Sequence, residues 1–111
     1  MRFKVTDTFL KSLKKLTKKH KNIKQDILRL TNNLAAHPEI GIPLGGQLYK
    51  IRLNIAKSSV GKRGGLRVIY FLKLTSNLIV YIDIYSKNEK ETIPISEIKQ
   101  ILTDNNIIDL K

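Results

Sequence analysis

Between Phe9 and Leu34 the apolar residues recur with a helical period. Phe9, Leu13 and Leu16, with Leu10 beside them, share one stripe, while Lys11, Lys14, Lys15, Lys18, Lys19 and Lys21 fill the rest of the circumference. The pattern predicts an amphipathic first helix with a cationic outer face, capped by Asp7 or Thr8. Ile23, Ile27, Leu30 and Leu34 step by four, three and four, the stripe of a second helix. Pro38 ends that helix, because the residue before a proline is pushed out of the α region. Two striped helices joined by a short break predict an antiparallel hairpin. Upstream, residues 2–5 alternate polar and apolar and read as a short edge strand.

Residues 38–46 are turn material, and beyond them the period falls to two. Tyr49, Ile51, Leu53 and Ile55 point one way, and Leu48, Lys50, Arg52 and Asn54 the other. Residues 66–74 and 78–85 are rich in Val, Ile, Tyr and Phe and are joined by Thr75-Ser76-Asn77. Three consecutive strands with short links predict an antiparallel meander. Residues 57–65 form a polar, glycine-containing loop and residues 86–91 a charged one. Ser96 would cap a last helix carrying Ile98, Ile101 and Leu102, broken at Asn105-Asn106. The predicted fold is α+β: an N-terminal helix hairpin packed on a small antiparallel β-sheet, with a short C-terminal helix, as one domain over residues 1–111. Its core should comprise Ile23, Ile27, Leu30, Leu34, Tyr49, Ile51, Leu53, Val68 and Tyr70. The helices should cover one sheet face and leave the other open for function.

Composition narrows the chemistry. Cysteine is absent and only His20 and His37 could serve as imidazole ligands, so neither a disulfide framework nor a zinc site is expected. No apolar run approaches the roughly 20 residues of a membrane-spanning helix. The opening MRFKVTD lacks the apolar region of a signal peptide, so the expected address is the cytoplasm, with no membrane partner. Lys and Arg number 21 against 9 Asp and Glu, a net charge of +12. Residues 1–82 hold 17 basic and 3 acidic residues, a net of +14, whereas the remainder nets −2. No acid lies between Glu39 and Asp83. Such a field attracts a polyanion or an acidic protein.

Familiar catalytic sites are missing. Gly45-Gly46 and Gly61-Lys62-Arg63 do not complete a phosphate-binding loop, and no Ser-His-Asp set or spaced pair of acids is present. Chemistry must come from cations and hydroxyls. Lys50 and Arg52 are two apart on a strand, so both emerge from one face about 6.5–7 Å apart. Arg67 opens the next strand and, if the hairpin closes, lies across from the region of Arg52 and Asn54. Lys62 and Arg63 sit on the connecting loop. Such a cluster can hold a phosphate as it gains charge in a transition state. Crowded cations also favour the neutral form of a lysine, which makes Lys50 a candidate base. The alternative is that alternating charges merely solvate a sheet face.

Three stretches then carry a resemblance: Leu48-Tyr49-Lys50-Ile51-Arg52-Leu53, Gly61-Lys62-Arg63-Gly64-Gly65-Leu66-Arg67-Val68-Ile69-Tyr70, and Ile84-Tyr85-Ser86-Lys87-Asn88-Glu89. Together, in this order, they resemble the RelE/ParE superfamily of toxins from type II toxin–antitoxin systems, and within it the HigB-like RelE branch. The similarity extends over about residues 9–103. It implies an mRNA interferase that enters the ribosomal A site and cuts mRNA without a metal or other cofactor, the 2′-hydroxyl attacking the adjacent phosphate. By that resemblance Lys50 and Arg52 match a base and a phosphate clamp, and Arg67 an arginine that stabilises the transition state. Lys57, Lys62, Arg63, Tyr85, Lys87 and Asn88, with Lys14 and Lys18 of the first helix, become candidates for RNA and ribosome binding. Asn88 stands where the best-studied pattern has an arginine, and Pro94 near a base-stacking tyrosine. Tyr85 is the candidate substitute for that stacking.

The implied partners are the ribosome, mRNA and a cognate antitoxin. The antitoxin would either cover the Lys50, Arg52 and Arg67 face or bind the lysine-rich first helix and inhibit by bulk. Two other functions are compatible with the sequence: a ParE-like inhibitor of DNA gyrase, and a non-catalytic basic nucleic-acid-binding module.

Overall fold

One threonine side chain ends the first strand and starts the first helix. Thr6 closes β1 (Arg2–Thr6) in extended geometry, and its Oγ1 accepts a hydrogen bond from the backbone N–H of Phe9 at 3.0 Å. The same hydroxyl donates to the Ile82 carbonyl at 2.7 Å, pinning the start of α1 (Asp7–Thr17) to the sheet. Thr6, rather than Asp7 or Thr8, is therefore the cap. The computed structural model describes residues 1–54, 65–87 and 93–104, and the backbone of 107–109.

α1 leads through a short turn into α2 (Ile23–Ala36), which stops just before Pro38 as the sequence predicts. Then follow β2 (Ile42–Gly45), β3 (Leu48–Leu53), β4 (Leu66–Lys73), a 3-10 turn at Leu74–Ser76, β5 (Leu78–Ser86), α3 (Ile95–Asp104) and β6 (Ile107–Asp109). Asn77 closes the turn between β4 and β5 in left-handed geometry, which asparagine tolerates. The α+β class is as expected, and β3, β4 and β5 form the antiparallel meander.

The sheet is larger than predicted, however, with strand order β2-β3-β4-β5-β1-β6. β1 is not an edge strand: it lies parallel to β5, Arg2 opposite Leu78 and Val5 opposite Tyr81, and β6 pairs on its far side. β2 forms within the expected turn as an edge strand, a position in a sheet that tolerates Pro43.

Packing divides at the sheet. Val5, Phe9, Leu16, Ile23, Ile27, Leu30, Leu34, Leu53, Val68, Tyr70, Tyr81 and Ile84 make the larger core between α1, α2 and one sheet face, with Tyr49 and Ile51 packed against it half-buried. Every residue of the predicted core belongs to this cluster. A second, unforeseen cluster of Leu48, Ile69, Ile82, Tyr85, Ile93 and Ile98 lies on the opposite face, where α3 sits. The face expected to be open is thus partly roofed, because Ile98, Ile101 and Leu102 need apolar cover of their own.

Candidate functional site

Arg52, Arg67 and Tyr85 stand side by side on three adjacent strands. In the ladder Arg52 is directly opposite Arg67, and Arg67 directly opposite Tyr85. Lys50 lies two residues back on β3, opposite Ile69, on the same face as Leu48. Alternation along β3 and β4 suffices to bring the two arginines and Lys50 to one face.

Tyr85 needs something more. Ile79 and Tyr81 face the helix-side core, so strict alternation would send Asp83 and Tyr85 there too. Instead the register jumps: Ile69 pairs with Asp83, but Tyr70 pairs with Tyr81. The extra residue is a β-bulge at Ile82, and beyond it Ile84 faces the helices while Tyr85 faces the arginines. Its parity change puts the tyrosine in the row.

A glycine lets the arginines converge. Gly65 is buried, and a methyl group placed on it would stand 2.8 Å from Nε of Arg52 and 3.3 Å from Nη1 of Arg67. Both guanidinium groups therefore lie over the bare Cα just before β4. Arg67 also donates from Nη1, one prong of its fork, to the Leu66 carbonyl at 3.3 Å. Directly opposed cations repel, so this pairing weakens the sheet by itself. A phosphate set between them turns that repulsion into attraction, and two arginine forks suit its oxygens.

The Tyr85 side chain is only 2% exposed and packs in the α3-side core. Its ring face is not presented to a base. Burial pushes its hydroxyl above the ordinary tyrosine range, the Arg67 charge pulls it back, and Asp83 adds a smaller push upward. It walls the site as a neutral phenol. Behind it, Asp83 is buried at the bulge and accepts hydrogen bonds from the Ser12 hydroxyl at 2.6 Å and from the Ile84 N–H at 2.8 Å.

The remaining candidates scatter. Lys87 is exposed just past the end of β5. Lys14 of α1 and Lys18, just past its end, are exposed away from the arginines, beside a groove that also meets Leu10, Leu13, Thr17 and Lys24. Lys57, Lys62, Arg63 and Asn88 lie outside the described residues. The three cations chosen from the sequence share one sheet face, and the structure adds Gly65 and Asp83 beside them, neither of which the sequence reading singled out. An acid interrupting the apolar run of residues 78–85 was the available signal for Asp83. Gly65 was indistinguishable from an ordinary loop glycine. Among the described residues no group of three or more His, Cys, Asp or Glu is placed to hold a metal ion. None of their helices is long and apolar enough to cross a membrane.

Comparison with known proteins adds one match. The family model described as the RelE toxin of the RelE / RelB toxin-antitoxin system matches residues 1–108. No curated protein matches the chain.

Proposed function

The chain belongs to the RelE toxin family, and from that premise we propose that it is a metal-independent endoribonuclease that cleaves mRNA in the ribosomal A site. The observation that carries the reading is the direct cross-strand opposition of Arg52 and Arg67 over Gly65. The 2′-hydroxyl of one nucleotide attacks the phosphate that follows it. Its proton passes to Lys50, and the bond to the 5′-oxygen of the next nucleotide breaks as that oxygen takes a proton from water. A 2′,3′-cyclic phosphate and a 5′-hydroxyl result. The phosphoryl group gains charge on the way, and two fixed guanidinium groups stabilise that charge without reorganising. RNA cleavage through this site stops translation.

A toxin of this family has an antitoxin. We assign the antitoxin segment to the groove beside Lys14, Lys18 and Lys24, whose floor includes Leu10 and Leu13. Its chemistry suits an acidic segment with apolar anchors, since exposed ion pairs alone supply only about 0–1 kcal/mol each. Changing Lys14, Lys18 and Lys21 together to Glu should abolish antitoxin binding. Intact affinity in that variant, with loss in Arg52→Glu, would place the antitoxin on the arginine face instead.

The deciding experiment for the activity is cleavage on translating ribosomes. Arg52→Ala and Arg67→Ala should each abolish growth arrest and A-site cleavage while far-UV circular dichroism is unchanged, and Lys50→Ala should impair both. Growth arrest with intact mRNA and poisoned gyrase would make the chain a ParE-like inhibitor. Binding of RNA without cleavage would leave a plain nucleic-acid-binding module.

A further inference from the structure

The lysines of α1 and of the turn after it divide between two grooves of different chemistry. Lys14 and Lys18 border the apolar groove just described. Lys15 of α1 and Lys19, two residues past its end, border a second groove between α1 and the end of β5, together with Ser12, Leu16, Asp83 and Tyr85. This groove exists because the sheet runs short of strand. β1 pairs with β5 only as far as Tyr81 and then turns into α1, so α1 runs beside the edge of β5 past that residue.

Tyr85 is shared: it is the third member of the arginine row and a wall of the groove. Two inter-strand spacings separate Arg52 from Tyr85, about 10 Å. A chain whose phosphate rests on the arginines reaches the groove with its neighbouring nucleotide. Building on the RNA-cleaving reading, we infer that the α1–β5 groove is a second subsite, which takes a nucleotide flanking the cut phosphate of single-stranded RNA.

The lining fits such a nucleotide part by part. Lys15 and Lys19 are exposed on the rim and offer ammonium groups to a phosphate. The stems of the two lysines supply an apolar surface for the sugar or base. Half-buried Ser12 donates to Asp83 at 2.6 Å, and its oxygen can accept from a base amino group. A peptide strand does not fit, because α1 occupies the space beside the edge and the Ile84 N–H is already held by Asp83.

Oligonucleotide binding to the full-length chain tests the assignment. The probes are a 2′-O-methyl dinucleotide, long enough for the arginines alone, and a 2′-O-methyl tetranucleotide, both uncleavable. The tetranucleotide should bind more tightly. In the double variant Lys15→Gln, Lys19→Gln, the slope of log affinity against log salt should fall by about 0.7 for each phosphate no longer neutralised. That fall should appear for the tetranucleotide and not for the dinucleotide, while Lys73→Gln, a charge removed at the far end of β4, changes neither. A tetranucleotide bound no more tightly than the dinucleotide, or an unchanged slope in the double variant, overturns the subsite. Loss of antitoxin affinity in the double variant with RNA slopes intact gives the groove to the antitoxin and overturns it too. Failure of the underlying reading looks different: Arg52→Ala and Arg67→Ala then leave dinucleotide binding unaltered.

Discussion

Replacing Gly65 with alanine should separate activity from stability. The added methyl would sit 2.8 Å from Nε of Arg52, about 0.6 Å short of the 3.4 Å at which ordinary contact begins. Its other near neighbours, Nη1 of Arg67 at 3.3 Å and Cζ of Arg52 at 3.4 Å, are also atoms of long side chains. Nothing rigid is struck, so the arginines yield and the backbone stays. Loss of glycine freedom in the unfolded chain favours the variant by about 0.4–1 kcal/mol. Displacing Arg52 works against that by a similar amount, and net stability should move by no more than about 0.5 kcal/mol. Catalysis has no such compensation. A misplacement of about 1 Å can cost on the order of 100-fold, and a shift of 0.6 Å at Nε is larger at the tip of the fork. A roughly 10–100-fold slower cleavage is expected, equivalent to about 1.4–2.7 kcal/mol of barrier. Thermal unfolding and single-turnover cleavage on programmed ribosomes measure the two quantities. Wild-type cleavage by a variant of unchanged stability would show that convergence of the arginines over Gly65 does not matter, and the argument would fail.

Other perturbations probe the scaffold. Leu30→Ala empties a buried site in the larger core and should cost about 2–5 kcal/mol by denaturant titration, with half-buried Ile51→Ala costing less. Tyr70→Phe removes a hydroxyl that donates to the Pro38 carbonyl at 2.9 Å and accepts from the Gly41 N–H at 3.1 Å. It should lower stability by about 1–3 kcal/mol while the stacking of ring 70 on Tyr49 survives. Burial raises the hydroxyls of Tyr70, Tyr81 and Tyr85 above their ordinary value of 10.0, so the folded chain holds these protons longer than the unfolded one. Their contribution is therefore whole below about pH 10, and it is lost as pH rises past that value toward the folded-state ionisations. Tyr81→Phe should flatten the decline in melting temperature measured between pH 9 and 11, and an equally steep decline would contradict the assignment.

Legibility in the sequence followed the range of the interactions involved. The stripes of α1 and α2 and the alternation of β3 were readable because a helix or strand with one apolar face writes its period into neighbouring residues. The larger core followed from them. Lys50 and Arg52 were legible for the same reason, and Arg67 nearly so, since a hairpin fixes its partner to within a residue or two. β2 and β6 are only four and three residues long and form because a partner strand is there, and β1, legible as a strand, owes its place in the sheet to partners far along the chain. No local pattern reveals that Arg2 lies beside Leu78. The apolar run of β5, interrupted by Asp83 alone, hid both its second buried face and the bulge, so the sequence offered no sign that Tyr85 changes sides. Tyr85 is a stacking candidate only through the resemblance, in place of the tyrosine expected near Pro94; a tyrosine on a strand more often belongs to a core, as it does here. Its burial follows from α3, whose apolar residues had to be covered by something.

The parallel seat of β1 has a consequence in time. Its partner is synthesised more than seventy residues later, so the first strand cannot settle until nearly the whole chain has been translated. β5 also supplies the end of the arginine row and, through Ile82 and Asp83, both anchors of α1. Contacts of such long sequence separation slow folding, since loop closure precedes any reward. A nascent chain that stops short of β5 thus has neither the place for its own N-terminus nor a finished cationic row. The cationic site is assembled last, after release of most of the chain from the machine that we propose it attacks.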